Sequence, residues 1–262
     1  MEPARDLLAR PLPHILYDGG TKSPSIDSSP VSATFFAPWP SFYEDVRVAL
    51  QSMDLDGQVS LIESRNGERY LTGNEPGLTT RFVRNLCDPV SEALSVTHLR
   101  QVMFGDVYSI RKTTMEIPDL VMVKLVNPEQ PNRETTILVL VGEMKTWWTL
   151  ELELFPVSSP AEDLQNSSVQ LVIRYMRKFN LKYGFLSTYR STIFIRRAAD
   201  YKFEISPPVD YRATRPSLRE CFMAFAALAD NDRIYTETPG FNARLHNEAL
   251  HVRHCRPSEF DA

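Results

Sequence analysis

Two short segments of this 262-residue sequence hold residue types that could do hydrolytic chemistry together. Ile117-Pro118-Asp119 opens one hydrophobic run, and Glu143-Met144-Lys145 closes the next, 24 residues after the aspartate. Two carboxylates and one amine are the minimum set for holding a hard divalent cation and activating a water against a phosphodiester. Strand side chains alternate faces, so Glu143 and Lys145 are expected on one face, about 6–7 Å apart along the strand. Gly142 and Met144 then point the other way. With Asp119 on the adjacent strand, the three heads converge. Magnesium or manganese would draw on Asp119, Glu143 and the backbone carbonyl of Met144, and Lys145 would hold or help deprotonate the nucleophile. The plainer reading is a solvated Glu and Lys at a strand end. Against it stands Ile137-Leu138-Val139-Leu140-Val141, apolar throughout, as in a strand buried on both faces.

Positioning these residues requires a sheet. Three strand-like runs are expected at Val102–Ile110, Asp119–Val126 and Thr136–Lys145, with a hairpin connector from Asn127 to Arg133. Before them, Leu78, Phe82, Leu86, Val90 and Leu94 recur at spacings of four. They predict a helix capped by Asn74, with Pro76 in its first turn and a kink at Pro89. After them, residues 160–180 read as a helix, followed by strands at Tyr183–Tyr189, Thr192–Arg197 and Tyr201–Ile205. A last helix is expected over Ser217–Ala229, with Phe222, Phe225 and Leu228 on one side. Nearer the start, Ser41 and Glu44 suggest a capping box on a helix over 42–53, and Asn66-Gly67 suggests a hairpin turn. The order helix, three strands, helix, strand is a mixed α/β arrangement with helices to cover both faces of a sheet.

Composition narrows the function classes. Hydrophobic residues are 43% and charged residues 24%, a globular balance. No stretch approaches the roughly 20 apolar residues of a membrane span, and the first residues lack the apolar core of a signal peptide. An intracellular location, nuclear or cytoplasmic, is the expectation. The three cysteines, Cys87, Cys221 and Cys255, show no CxxC spacing, so neither a disulfide framework nor a zinc site is expected, and Cys87 and Cys221 read as core residues. His246, His251, His254 and Cys255 lack paired ligand spacing. The net charge of −4 is uneven: residues 170–202 hold eight Lys or Arg and one acid, a window of +7 in a chain that is otherwise −11. Such a window is either a phosphate-facing surface or a solvated one. Trp147 and Trp148 suit base stacking or core packing.

Pro118-Asp119 and Glu143-x-Lys145, on this element order, resemble the PD-(D/E)xK nuclease-like superfamily over roughly residues 70–200. VGEMKTWW, followed by QLVIRYMRKFNLKYGFLSTYRSTIFIRR, resembles a fungal group within it. The resemblance implies a restriction-endonuclease-like αβββαβ core, with a mixed central sheet flanked by helices, an N-terminal arm and a C-terminal helix. Residues 1 to about 40, rich in Pro, Ser and Gly and without periodicity, read as a flexible arm or a loosely packed wrap. The expected division is therefore a flexible N-terminal arm with a short helix over 1–58, the nuclease-like domain over 59–235 and a polar tail over 236–262. The resemblance further implies a magnesium- or manganese-dependent nuclease acting on nucleic acid, DNA favoured, with Asp119, Glu143 and Lys145 as its catalytic set. A glutamate on the first helix often faces the metal in this family, and Glu75 is the candidate, although an acid in a first helical turn is favoured by the dipole anyway. Some relatives carry Gln-x-x-x-Tyr on the second helix; here Gln170 meets Arg174 at that spacing and Tyr175 one later. Gln170, Arg174, Arg177 and Lys178 are the nucleic-acid-binding candidates, or else a solvated helix face. Two other classes stay open: a catalytically silent module of this fold binding nucleic acid or protein, and an effector acting on a host component. Many nucleases of this fold act as homodimers; no dimer surface is legible in the sequence.

Overall fold

A computed structural model describes residues 1–17, 36–60, 71–106, 108, 117–127, 136–152, 167–200 and 202–236. The chain begins with β1 (Glu2–Pro3), α1 (Ala4–Leu8), β2 (Leu16–Tyr17), β3 (Phe36–Pro38), α2 (Phe42–Gln51), β4 (Gln58–Val59) and β5 (Leu71–Thr72). The centre comprises α3 (Glu75–Phe82), a π-helical turn (Val83–Cys87), α4 (Asp88–Ser95), β6 (Val102–Gly105), β7 (Leu120–Leu125), β8 (Thr136–Met144), α5 (Ser167–Lys178) and β9 (Tyr183–Ser187). Then follow β10 (Ser191–Ala199), β11 (Lys202–Ile205), β12 (Val209–Asp210) and α6 (Leu218–Asn231). The expected hairpin at Asn66-Gly67, the connector beyond Asn127 and the tail with His246, His251, His254 and Cys255 lie outside the described residues.

Among the described residues an eight-stranded mixed sheet runs β3-β11-β10-β9-β8-β7-β6, with β12 on β10. β6, β7 and β8 pair antiparallel, and β8 then pairs parallel with β9 after the α5 crossover. The order helix, three strands, helix, strand is therefore present. Apolar residues divide between the two faces. Leu140, Met144 and Phe185 join a cluster with α3, α4 and α6, while Val141, Val123 and Leu186 join one with α5. Of the apolar run Ile137–Val141, Val139, Leu140 and Val141 are buried as expected, and burial continues to Met144, while Ile137 and Leu138 at the outer end of the strand are only half-buried.

Close packing at the centre depends on glycine. A Cβ on Gly142 would stand 2.0 Å from Phe185 Cζ, the in-register neighbour on β9. Phe185 is pinned between Phe82 and Phe222, so it has nowhere to move. Gly142→Ala is expected to cost about 3 kcal/mol through overpacking, read as a lower urea midpoint. A change below about 1 kcal/mol would show that the ring layer yields.

The first helix forms as expected, with Leu78, Phe82, Leu86, Val90 and Leu94 all fully buried. Asn74 Oδ1 accepts from the Gly77 N–H at 2.8 Å. Instead of a simple kink, the helix passes through the π turn just ahead of Pro89. Proline has no N–H to return to the Asn85 carbonyl four residues earlier. Arg219 of α6, buried, donates to that carbonyl through Nε at 3.0 Å and Nη2 at 2.7 Å. Ser217 and Glu220 form a full capping box on α6.

Two expectations change. Ser41 does not cap α2 with its side chain; its hydroxyl donates to Asp45, which also accepts from Trp39 Nε1 at 2.8 Å. The competing carboxylate one turn along explains the difference. Nor are residues 1–17 a loose arm. Ala4, Leu7, Leu8, Leu12 and Ile15 are buried in the α4–α6 cluster, and Arg219 and Ser217 donate to the Leu7 and Leu8 carbonyls. Among the described residues, Cys87 and Cys221 are free thiols and buried. No helix among the described residues is long and apolar enough to cross a membrane.

Candidate metal centre

Asp119 immediately precedes β7, and Glu143 is the penultimate residue of β8. Leu120 pairs with Gly142, which sets Asp119 beside Glu143 across the two strands. Alternation puts both on the α5 side, with Val121 and Val141 behind them. Asp119 Oδ2 accepts from the Met144 N–H at 2.8 Å. Lys145 Nζ donates to Glu143 Oε1 at 2.7 Å and lies 3.4 Å from both carboxylate oxygens of Glu75. Glu75 reaches the centre because it opens α3, whose N-terminal turn approaches the end of β8. Glu75, Asp119, Glu143 and Lys145 thus form one electrostatic cluster.

The cluster crowds buried negative charge. Burial, with the Asp119 charge adding to it and Lys145 opposing, pushes the Glu143 carboxyl up to about 7. Burial also raises Asp119, against the Met144 N–H and Lys145, and it raises Glu75, against Lys145. Burial disfavours the charged Lys145, but Glu143, Glu75 and Asp119 together outweigh it and hold the ammonium above its ordinary value. Glu143 Oε2 is buried and has no hydrogen-bond partner among the described residues. An orphaned carboxylate oxygen in a surplus of negative charge is what a cation would satisfy. Among the described residues no three acidic, His or Cys side chains make a ready metal cage. Two carboxylates, waters and substrate oxygens are the usual complement for magnesium, so the donor set fits that cation.

The remaining candidates lie on α5. Gln170 is buried, and its amide nitrogen also lacks a partner among the described residues. Arg174 and Arg177 are half-buried and Lys178 is exposed. The basic window does not form one face. Arg196 pairs with Glu204 and Asp45, Lys182 with Asp232, and buried Arg197 donates to the Asp200 carbonyl at 2.9 Å. Adjacent strand residues point to opposite sides, which separates Arg196 from Arg197.

Three supporting residues have roles that the sequence does not announce. The Tyr175 hydroxyl donates to the Ile117 carbonyl at 3.1 Å, fixing the backbone that presents Pro118 and Asp119. Ser187 accepts the Lys145 N–H on its carbonyl at 2.9 Å. Tyr189, at φ 72°, is held in a left-handed conformation that an aromatic residue rarely takes. Its hydroxyl donates to the Pro13 carbonyl at 2.8 Å and accepts from Asn85 Nδ2 at 3.0 Å. An aromatic in the Gln-to-Ser-Thr-Tyr stretch is visible in the sequence; these partners are not.

No family model matches the chain, and no curated protein or solved structure matches it either.

Proposed function

We propose that this chain is a metal-dependent nuclease of the PD-(D/E)xK kind, hydrolysing phosphodiester bonds in nucleic acid, with DNA the favoured substrate. The observation that carries the reading is the register of Asp119 beside Glu143, with the orphaned Glu143 oxygen and Lys145 Nζ at the same spot. The antiparallel β6–β8 unit, the α5 crossover and parallel β9 support it as the corresponding core. Asp119, Glu143 and the Met144 carbonyl would hold magnesium or manganese. The ion, when bound, supplies an acidified water and neutralises charge on the phosphate. Lys145 offers its ammonium to the developing oxyanion, and Glu75 keeps that ammonium charged and in place.

Purified full chain is expected to cut plasmid or single-stranded DNA with magnesium or manganese. Glu143→Gln and Lys145→Met are each expected to slow cutting by about 10²–10³-fold at unchanged fold. Absence of cutting by the wild type, across both metals and both DNA and RNA, sinks the reading. A second reading has its own support: the 2.7 Å contact closes Glu143 against Lys145, as in a silent module of the same fold that binds without cutting. Nucleic-acid binding that survives in Glu143→Gln, without any turnover in the wild type, identifies that case.

A further inference from the structure

The turn between β9 and β10 is built on an unusual residue. The Thr188 N–H donates to the Ser191 carbonyl at 2.9 Å, which leaves Tyr189 and Arg190 as a two-residue loop. A positive φ at the first loop residue of such a hairpin is ordinarily taken by glycine. Here it is taken by Tyr189, at φ 72° and 1% exposed. A bulky residue persists in that conformation only where its surroundings over-determine it, and such residues cluster at functional sites. Tyr189 is fixed from three directions. Its hydroxyl donates to the Pro13 carbonyl in the buried N-terminal segment and accepts from Asn85 Nδ2 in the π turn. Its ring stands edge-on to Phe82 of α3 at 6.3 Å. Its own N–H donates to Ser187 Oγ at 3.1 Å, and that hydroxyl is hydrogen-bonded to Thr192 Oγ1 at 2.8 Å.

Ser187 is where this turn meets the metal centre. It pairs with Met144, and its carbonyl accepts the Lys145 N–H one residue beyond the end of β8. Backbone position there decides where the Lys145 ammonium falls between Glu143 Oε1, at 2.7 Å, and the Glu75 carboxylate, at 3.4 Å. We infer that Tyr189 is a positioning residue for that lysine. Its hydroxyl, held between Pro13 and Asn85, fixes the β9–β10 turn, so that Ser187 keeps the Lys145 backbone, and with it the ammonium, in place beside Glu143. The inference rests on the nuclease reading and adds the N-terminal segment and the π turn to what supports the centre. Packing alone asks only for the ring of Tyr189; the hydroxyl and its two bonds carry the positioning.

Tyr189→Phe removes the hydroxyl and keeps the ring, which separates the two roles. Amide hydrogen exchange of the full chain, followed by NMR without metal or substrate, reads the Lys145 N–H directly. In Tyr189→Phe that amide is expected to exchange at least about tenfold faster, beyond any change at Val123 and Val141 in the sheet interior. Asn85→Ala removes the donor to the same hydroxyl, should move Lys145 in the same direction, and carries the test where Tyr189→Phe fails to fold. With DNA and magnesium, Tyr189→Phe is expected to lower kcat about tenfold at unchanged KM, because Lys145 acts on charge that develops only in the transition state. A loss of global stability alone would speed the interior amides and leave kcat of the folded protein unchanged. Unchanged exchange at Lys145 in the folded variants overturns the inference, whatever the activity. An unchanged kcat in a Tyr189→Phe whose Lys145 amide has loosened overturns it too, and leaves the nuclease reading standing. Faster exchange at Lys145, in a protein whose wild type never cuts, leaves Tyr189 placing the lysine and removes the nuclease reading.

Discussion

Replacing Arg219 by Ala is expected to lower the unfolding free energy by about 4 kcal/mol, a large share of the whole stability of a typical domain. The side chain is buried, and its guanidinium reaches two separate parts of the backbone. Nε and Nη2 donate to the Asn85 carbonyl, whose ordinary helical donor is missing because Pro89 occupies that place. Nη1 donates to the Leu7 carbonyl at 3.0 Å. Truncation would remove the guanidinium donors from two carbonyls, each loss costing about 1–3 kcal/mol, and leave a void where the side chain lay. Arg219→Lys keeps the charge and loses the planar fork, so it should recover less than half of the difference. Equilibrium urea unfolding of the three proteins decides it. A loss below about 1 kcal/mol in Arg219→Ala would mean that other donors take over at Asn85.

Stability should also fall as pH rises, the opposite of the behaviour of most carboxylates. The Glu143 carboxyl moves from an ordinary 4.5 to about 7 in the folded chain, first through burial and then through the Asp119 charge. Between those values the folded state holds a proton that the unfolded chain has released. Its contribution is therefore most favourable below about 4.5 and is lost as pH climbs to 7, by roughly 3 kcal/mol in all. Asp119 and Glu75 are raised as well and act with the same sign. The measurement is the urea midpoint at pH 5 and pH 8, wild type against Glu143→Gln. The variant should show a clearly flatter pH dependence, because it has no proton to lose at this position. Millimolar magnesium should restore stability to the wild type at pH 8 and do little at pH 5, where Glu143 already carries its proton. Identical pH slopes in the two proteins would remove Glu143 as the cause.

Much of the sheet and its first helix is legible in the sequence because local pattern and burial agree there. Spacing of four from Leu78 to Leu94 has one helical solution, and the run from Ile137 to Val141 is too apolar for any place but a sheet interior. Alternation along β8 then places Glu143 and Lys145 opposite Gly142 and Met144 with no further information. What stays hidden depends on distant partners. Leu7 and Leu8 sit in a five-residue helix too short to announce itself, and they are buried because α6 reaches back to their carbonyls. Tyr175 lies one place beyond the expected spacing from Gln170. It contributes by holding the Ile117 carbonyl, a contact across the fold that periodicity cannot reveal. The basic window misleads for a related reason: a run of positive residues says nothing about which of them meet acids such as Asp45, Glu204 and Asp232.

The bond from the Met144 N–H to Asp119 has a bearing on how lineages of this protein would change. Asp119 ties the end of β8 to the start of β7, so an acid or amide there has a purpose even in a chain that no longer turns over substrate. Glu143 Oε2 has no such backbone duty. Drift after loss of activity should therefore appear first at Glu143, while position 119 stays acidic or becomes Asn. Under the nuclease proposal, that asymmetry in related sequences would mark copies that keep the metal centre from copies that have lost it.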